Sequence, residues 1–253
     1  MELKNSMLGR NFGIIKENVE NFAFILLFDF LFIVAMYYLG VLRNVFVVPM
    51  SYISILYFLF FVVVFIAAYS VFKYLALDYL RSVWRKDSMG FSNFKRFFLL
   101  NLCIILPSFI VISFLNFLGL TMLQGRILGS ILFLILLLLL VVYVYTLLNI
   151  AHSIFARKHE FYNVLKDALR KSVNPSLYAK TYAYDLLFII AFVAVWLIAK
   201  AVLLLIGYSA YISYYAYYRT AIIVLLFIAL YAIIDFNRIS FYISFAGEKK
   251  EKN

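Results

Sequence analysis

The sequence predicts an all-α polytopic membrane protein with six transmembrane helices arranged as three helical hairpins. Composition is the first observation behind this: 67% of the residues are hydrophobic and only 14% charged, whereas soluble domains are nearer half apolar and a quarter charged. The second is that residues 127–156 run without a Lys, Arg, Asp or Glu, and roughly 20 apolar residues at ~1.5 Å each already cross a hydrocarbon core of ~30 Å. The third is that polar residues return inside the apolar runs at a near-constant interval. The 253 residues hold six spans and their connections as a single membrane domain, 1–253, and leave no stretch for a catalytic domain outside the bilayer.

The first span is expected at 21–40, interrupted by Asp29. The second, at 50–72, starts after Pro49, a residue suited to a first helical turn. The third, at 97–119, contains Pro107, which frees a backbone carbonyl and predicts a kink. The fourth is the uncharged run 127–156, with Ile131 to Val142 at its centre. The fifth, at 182–207, carries Lys200, and the sixth occupies 220–245. No small-residue cleavage site follows the first apolar run, so a removable signal peptide is not expected.

Six spans put both termini on one side, and the basic residues say which. Nineteen Lys and Arg fall in the N-terminal segment, 73–96, 157–180 and the segment from Arg238 onward, against one each (Arg43, Arg126, Arg219) in the three opposite loops. That asymmetry predicts a cell-membrane protein with N- and C-termini in the cytoplasm. The net charge of +11 is read as topology and not as a nucleic-acid footprint, because the cations border apolar runs instead of forming a face of their own. The partner this implies is the lipid bilayer.

The lead-ins to the odd spans read as amphipathic segments at 8–20, 88–96 and 160–173. Leu8, Phe12, Ile15, Val19 and Phe22 share a helical face; Phe91, Phe94 and Phe98 give a shorter version. Phe161, Val164, Leu165, Ala168 and Leu169 repeat the pattern, with Lys166, Asp167, Arg170 and Lys171 opposite. Such a helix lies on the membrane surface or packs on the underside of its own bundle. The loop expected between spans five and six holds six tyrosines from Tyr208 to Tyr218. They suit an interfacial belt, or a stacking surface for a sugar or a partner.

Each odd span carries one polar residue near its cytoplasmic end: Asp29, Asn101 and Asp185. Each even span carries two, three residues apart and therefore on one face: Asp78 with Arg81, Asn149 with His152, and Asp235 with Arg238. From the odd-span residue to the first of its pair the separations are 49, 48 and 50, which predicts three copies of one hairpin. Antiparallel packing would then gather all nine into a polar ring at the cytoplasmic end of the bundle. Structurally the ring would be interhelical glue. Functionally it would mark an ion, proton or substrate path, since ionisable groups facing a bundle interior do so. The position near the boundary, away from the midplane, favours the structural reading.

The sequence shows no catalytic constellation. His152 and His159 are not joined by carboxylates at a metal-ligand spacing, and the single cysteine, Cys103, lies in an apolar run. Neither a phosphate-binding glycine loop nor a nucleophile motif occurs. No catalytic residue, cofactor or metal is expected.

Two connectors carry a resemblance. The stretch Leu77 to Leu102 (LDYLRSVWRKDSMGFSNFKRFFLLNL) and the stretch Ile154 to Thr181 (IFARKHEFYNVLKDALRKSVNPSLYAKT) resemble the YesL-like family of bacterial multi-pass membrane proteins. There too a span ends in a basic run, and an amphipathic segment leads through Asn-Pro into the next. The resemblance covers about a third of the chain and implies, at most, an accessory role beside a carbohydrate-uptake transporter. The expected function is a non-enzymatic membrane component, accessory to a transporter or to membrane organisation. The alternative is a small-solute or ion transporter using the polar ring.

Overall fold

The computed structural model describes residues 16, 19–45, 52–122 and 127–246. Seven α-helices account for nearly all of them: α1 (Val19–Val45), α2 (Tyr52–Arg85), α3 (Phe94–Met122), α4 (Ile127–Phe155), α5 (Phe161–Ser172), α6 (Ala179–Ile206) and α7 (Tyr208–Ala246). All but α5 are long and apolar enough to cross a membrane, and together they make this a multi-pass membrane protein. The amphipathic face expected at 8–20 falls almost wholly outside the described residues.

The contacts divide the chain into two compact units, residues 19–174 with 241–246 in one and residues 175–240 in the other. In the larger unit α1 packs on α2, α2 on α3 and α3 on α4, each against its neighbour in sequence. Most side chains facing away from these contacts are large and apolar. Leu132, Leu134, Leu138 and Leu139 of α4 are each exposed by 60% or more, which only a hydrocarbon solvent tolerates. Burial gathers toward one end of the helices, where Phe97, Leu100, Ile150, Phe155, Leu77 and Leu80 are essentially inaccessible. That end carries the connectors between α2 and α3 and between α4 and α5. Toward the other end Gly119 of α3 faces Phe133 of α4 so closely that a Cβ would overlap the ring.

Three differences from the sequence expectation bear on the site. First, α2 does not stop at 72 but runs to Arg85, closing on Lys86 in the left-handed region (φ 53°). Lys73, Asp78 and Arg81 are therefore helical, and Lys73, counted above among the connector cations, is buried at 7% exposure. Second, 88–96 forms no surface helix of its own. A single 3-10 turn at Phe91–Asn93 passes directly into α3, with the Phe91 and Phe94 rings stacked 5.4 Å apart. Third, the Tyr-rich stretch is not a loop: α6 ends at Ile206, Gly207 alone makes the turn at φ 147°, and α7 starts at Tyr208. A positive φ of this size favours glycine, which has no Cβ to clash.

The expected amphipathic helix at 160–173 is present as α5. Of the two placements the sequence left open, the structure has it packed on the bundle's underside, against α4 and α3. Val164 and Ala168 are fully buried there, and the Ser172 hydroxyl, which donates to the Leu169 carbonyl at 2.9 Å, lies 3.3 Å from the Tyr143 hydroxyl.

Candidate functional site

The site lies in the larger unit, where about two turns of α2 carry Ile66, Tyr69, Ser70 and Lys73. The 3.6-residue period puts Ile66, Ser70 and Lys73 on the face turned to the core, and they are 3%, 0% and 7% exposed. Asp29 of α1, fully buried, receives the Lys73 ammonium at 2.5 Å. The ammonium also stands 5.7 Å from the centre of the Phe32 ring and 5.8 Å from that of Tyr69. Burial of either charge alone would cost several kcal/mol, roughly, and is tolerated because the partner charge and two aromatic faces accompany it.

A chain of neutral hydrogen bonds joins α4 to α3 to α2 at the same level. His152 Nε2 lies 2.6 Å from Asn101 Oδ1, Asn101 Nδ2 donates to Ser70 Oγ at 2.9 Å, and Ser70 Oγ donates to the Ile66 carbonyl at 2.7 Å. With each donor spoken for in one direction, the oxygen of Asn101 can only accept, which puts a proton on His152 Nε2. The ring of Tyr69 connects the two groups, 6.0 Å from His152 on one side and near Lys73 on the other. Phe97 closes the histidine from below at 4.8 Å.

Tyr69 and Phe32 also belong to the wall of a cavity of about 420 Å³ shared by α1, α2, α3 and α4. Apart from Tyr69 its only polar lining residue is Ser108, whose hydroxyl is turned back to the Ile104 carbonyl at 2.6 Å. The arrangement is an apolar chamber against a buried polar floor. It can hold an apolar group, and its size falls in the ~300–1,000 Å³ range of small-molecule sites.

The remaining ring candidates in this unit serve the connectors. Asp78 Oδ1 accepts the Met89 backbone N–H at 2.5 Å, and Arg81 Nη1 donates to the Ala156 carbonyl at 3.0 Å, capping α4. The same guanidinium donates to Asp87 and to His159 Nε2, the latter at 2.8 Å. Since a guanidinium only donates, His159 must accept there and is neutral. Burial first, and then the Arg81 charge, hold His159 below the ordinary imidazole value of 6.5. The hydrogen bond from Arg81, followed by its charge, holds the Asp87 carboxyl below the usual carboxylate range. Asn149 donates to the Tyr145 carbonyl of its own helix at 2.9 Å.

In the smaller unit, Asn237 Nδ2 donates to Asp185 Oδ2 at 2.7 Å, and Arg238 lies 3.0 Å from Asp235 on the same helix. The nine candidates thus fall as six in the larger unit and three in the smaller. Within the larger unit they do not converge on one ring: Asp29, Asn101 and His152 share the floor around Tyr69, Asp78 and Arg81 hold connectors, and Asn149 bonds its own helix.

The sequence reading missed Lys73, Ser70 and Asn237, and weighed His159 only as a metal ligand. Lys73 was hidden because a lysine next to a basic stretch reads as a loop residue. Its signal was the apolar run continuing on its far side, Tyr74 to Leu77. Among the described residues no group of three or more His, Cys, Asp or Glu is placed to hold a metal ion. Compared with family models, with curated proteins and with solved structures, the chain matches none.

Proposed function

We propose that this multi-pass protein is a non-enzymatic component of the cell membrane, with cytoplasmic termini, that acts as an accessory to a transporter or to membrane organisation. The observation that carries the reading is the closed polar floor: Asp29 meets Lys73, and His152, Asn101, Ser70 and Ile66 form one directed chain. Polar groups on a conduction path must exchange partners with water or solute, whereas these bind helices to each other. The connector resemblance to YesL-like proteins points the same way. One observation favours the alternative, transport of a small solute: the floor abuts a cavity of about 420 Å³.

Cysteine accessibility separates the two. With Cys103 replaced by Ser, single cysteines at Ser70 and Asn149 are exposed to a membrane-impermeant maleimide in vesicles of both orientations, with Ser88→Cys, exposed on the connector, as the positive control. The accessory reading expects only Ser88→Cys to react, and a membrane protein to copurify in a fixed ratio after crosslinking. Reaction of Ser70→Cys at the control's rate means a hydrated path and sinks it in favour of transport.

A further inference from the structure

The hairpin of α6 and α7 carries a second cavity, and none of the nine polar candidates lines it. Its register is fixed by the Tyr218 hydroxyl, which donates to the Trp196 carbonyl at 2.7 Å. Both residues stand eleven positions from Gly207 in the sequence. At that level the helices leave a space of about 210 Å³ lined by Trp196, Lys200, Tyr218, Arg219, Ile222 and Ile223.

Two cations therefore open onto one small cavity, and neither α6 nor α7 brings an acid to that level. From residue 186 to residue 234 the chain has no Asp or Glu, and Lys200 and Arg219 are its only charged residues. Asp185 is fifteen residues from Lys200, which is about 22 Å along the helix and more than two Debye lengths at physiological salt. Two like charges beside apolar helices repel, so the arrangement favours an anion between them. Lysine supplies a compact charge and arginine a planar fork, the pair of donors suited to phosphate oxygens.

We propose that Lys200 and Arg219 form a binding site for a phosphate group. Its size sets what enters: about 210 Å³ is smaller than the ~300–1,000 Å³ that encloses a whole drug-sized ligand, so the site takes a phosphate and its immediate substituent. Tyr217 opens the apolar window of α7, which sets Tyr218 and Arg219 at the edge of the lipid-compatible stretch, where Trp and Tyr rings settle at headgroup depth. Ile222 and Ile223 continue the cavity as an apolar wall, and α6 beside it exposes Ile198 at 63% and Val202 at 49%. These surfaces would carry an acyl chain if the phosphate belongs to a lipid.

The chain has two tryptophans, Trp84 and Trp196, so Trp84→Phe leaves Trp196 as a fluorophore inside the site. The full-length protein in nonionic detergent is titrated with short-chain phosphatidylglycerol, inorganic phosphate and, as a neutral control, short-chain diacylglycerol. A saturable change in Trp196 emission with phosphatidylglycerol, absent with diacylglycerol, is the expected result and marks a lipid headgroup site. Saturation by inorganic phosphate at equal or better affinity keeps the site and assigns it to the free anion. Lys200→Gln with Arg219→Gln should weaken binding by roughly tenfold or more, the loss of a charge-assisted hydrogen bond, while Lys200→Arg retains it. Thermal melting and the Tyr218–Trp196 register, read by a disulfide placed across the hairpin, show whether the variants still fold. No saturable change with either phosphate, or unaltered affinity in the folded double variant, overturns the site.

Discussion

Asp29 in α1 and Asn101 in α3 occupy matching places in consecutive hairpins, and each bonds to a side chain on the helix that returns. Asp29 takes an ammonium 44 residues on, and Asn101 takes an imidazole 51 residues on. The first connection is ionic and cushioned by the Phe32 and Tyr69 rings. The second is neutral and continues through Ser70 to a backbone carbonyl. Two consequences follow from the difference. An ion pair is intolerant of losing either partner, because the survivor keeps its charge in a low-dielectric site. A neutral chain can lose a link and leave behind only an unsatisfied dipole.

The largest expected effect is at the ion pair. Asp29→Asn preserves shape but removes the charge facing Lys73, and should lower stability in detergent by about 3–5 kcal/mol. Asp29→Leu with Lys73→Met removes both charges and should recover most of that loss. Thermal melting of the single and double variants decides it. If the double variant melts no higher than Asp29→Asn, the pair is not what the first hairpin depends on.

The neutral chain should break more gently. Asn101→Leu strands the His152 Nε2 proton while leaving the Ser70 hydroxyl on Ile66, for a cost of about 1–3 kcal/mol. Equal losses for Asn101→Leu and Asp29→Asn would erase the distinction between the two hairpins.

How legible this was depends on the scale of the feature. The spans could be read because lipid demands long uncharged helices, and Ile131 to Val142 has no other use. The 49, 48 and 50 spacing singles out the odd-span residues, and all three bond across their own hairpins. Their partners were not legible. The spacing sets Asp29 at about the depth of the Asp78 and Arg81 pair, but the donor its carboxylate takes is Lys73, five residues before Asp78 on the same helix. Asp185 likewise takes Asn237, one of the two residues between the singled-out Asp235 and Arg238. Spacing gives the depth of a side chain, whereas choosing a partner takes the rotation of two helices about their axes, which no one-dimensional pattern carries. The connectors show the same limit: Arg81 reached past its helix to Ala156 and His159, contacts 75 and 78 residues away.

A smaller effect is expected at the Arg81 cluster, and it depends on pH. His159 is neutral while it accepts from Arg81, and its pKa is held below 6.5, so the unfolded chain binds a proton more readily than the folded one. Stability from this contact is therefore complete above pH ~6.5 and is lost as pH falls through the lower folded value. Asp87 adds in the same direction at more acid pH, its lowered carboxyl losing its contribution as it is protonated. Melting followed from pH 8 to pH 5 should show a fall that His159→Gln flattens. A fall of unchanged slope in that variant would assign the dependence to another group.

The smallest effect belongs to the hairpin of α6 and α7, and it comes from the same substitution that is most damaging in α1. Asp185 accepts from the Asn237 amide and, among the described residues, has no cation as its hydrogen-bond partner. Asp185→Asn keeps an oxygen in place to accept that bond, and no opposing charge is left behind. The expected loss is at or below ~0.6 kcal/mol, the average found for hydrogen bonds between membrane helices. Asp29→Asn and Asp185→Asn thus ask one question of two equivalent positions. Melting the two variants side by side reads the answer: a large gap means that the ammonium opposite Asp29 sets the cost, and matching losses mean that the carboxylate itself is needed at both places.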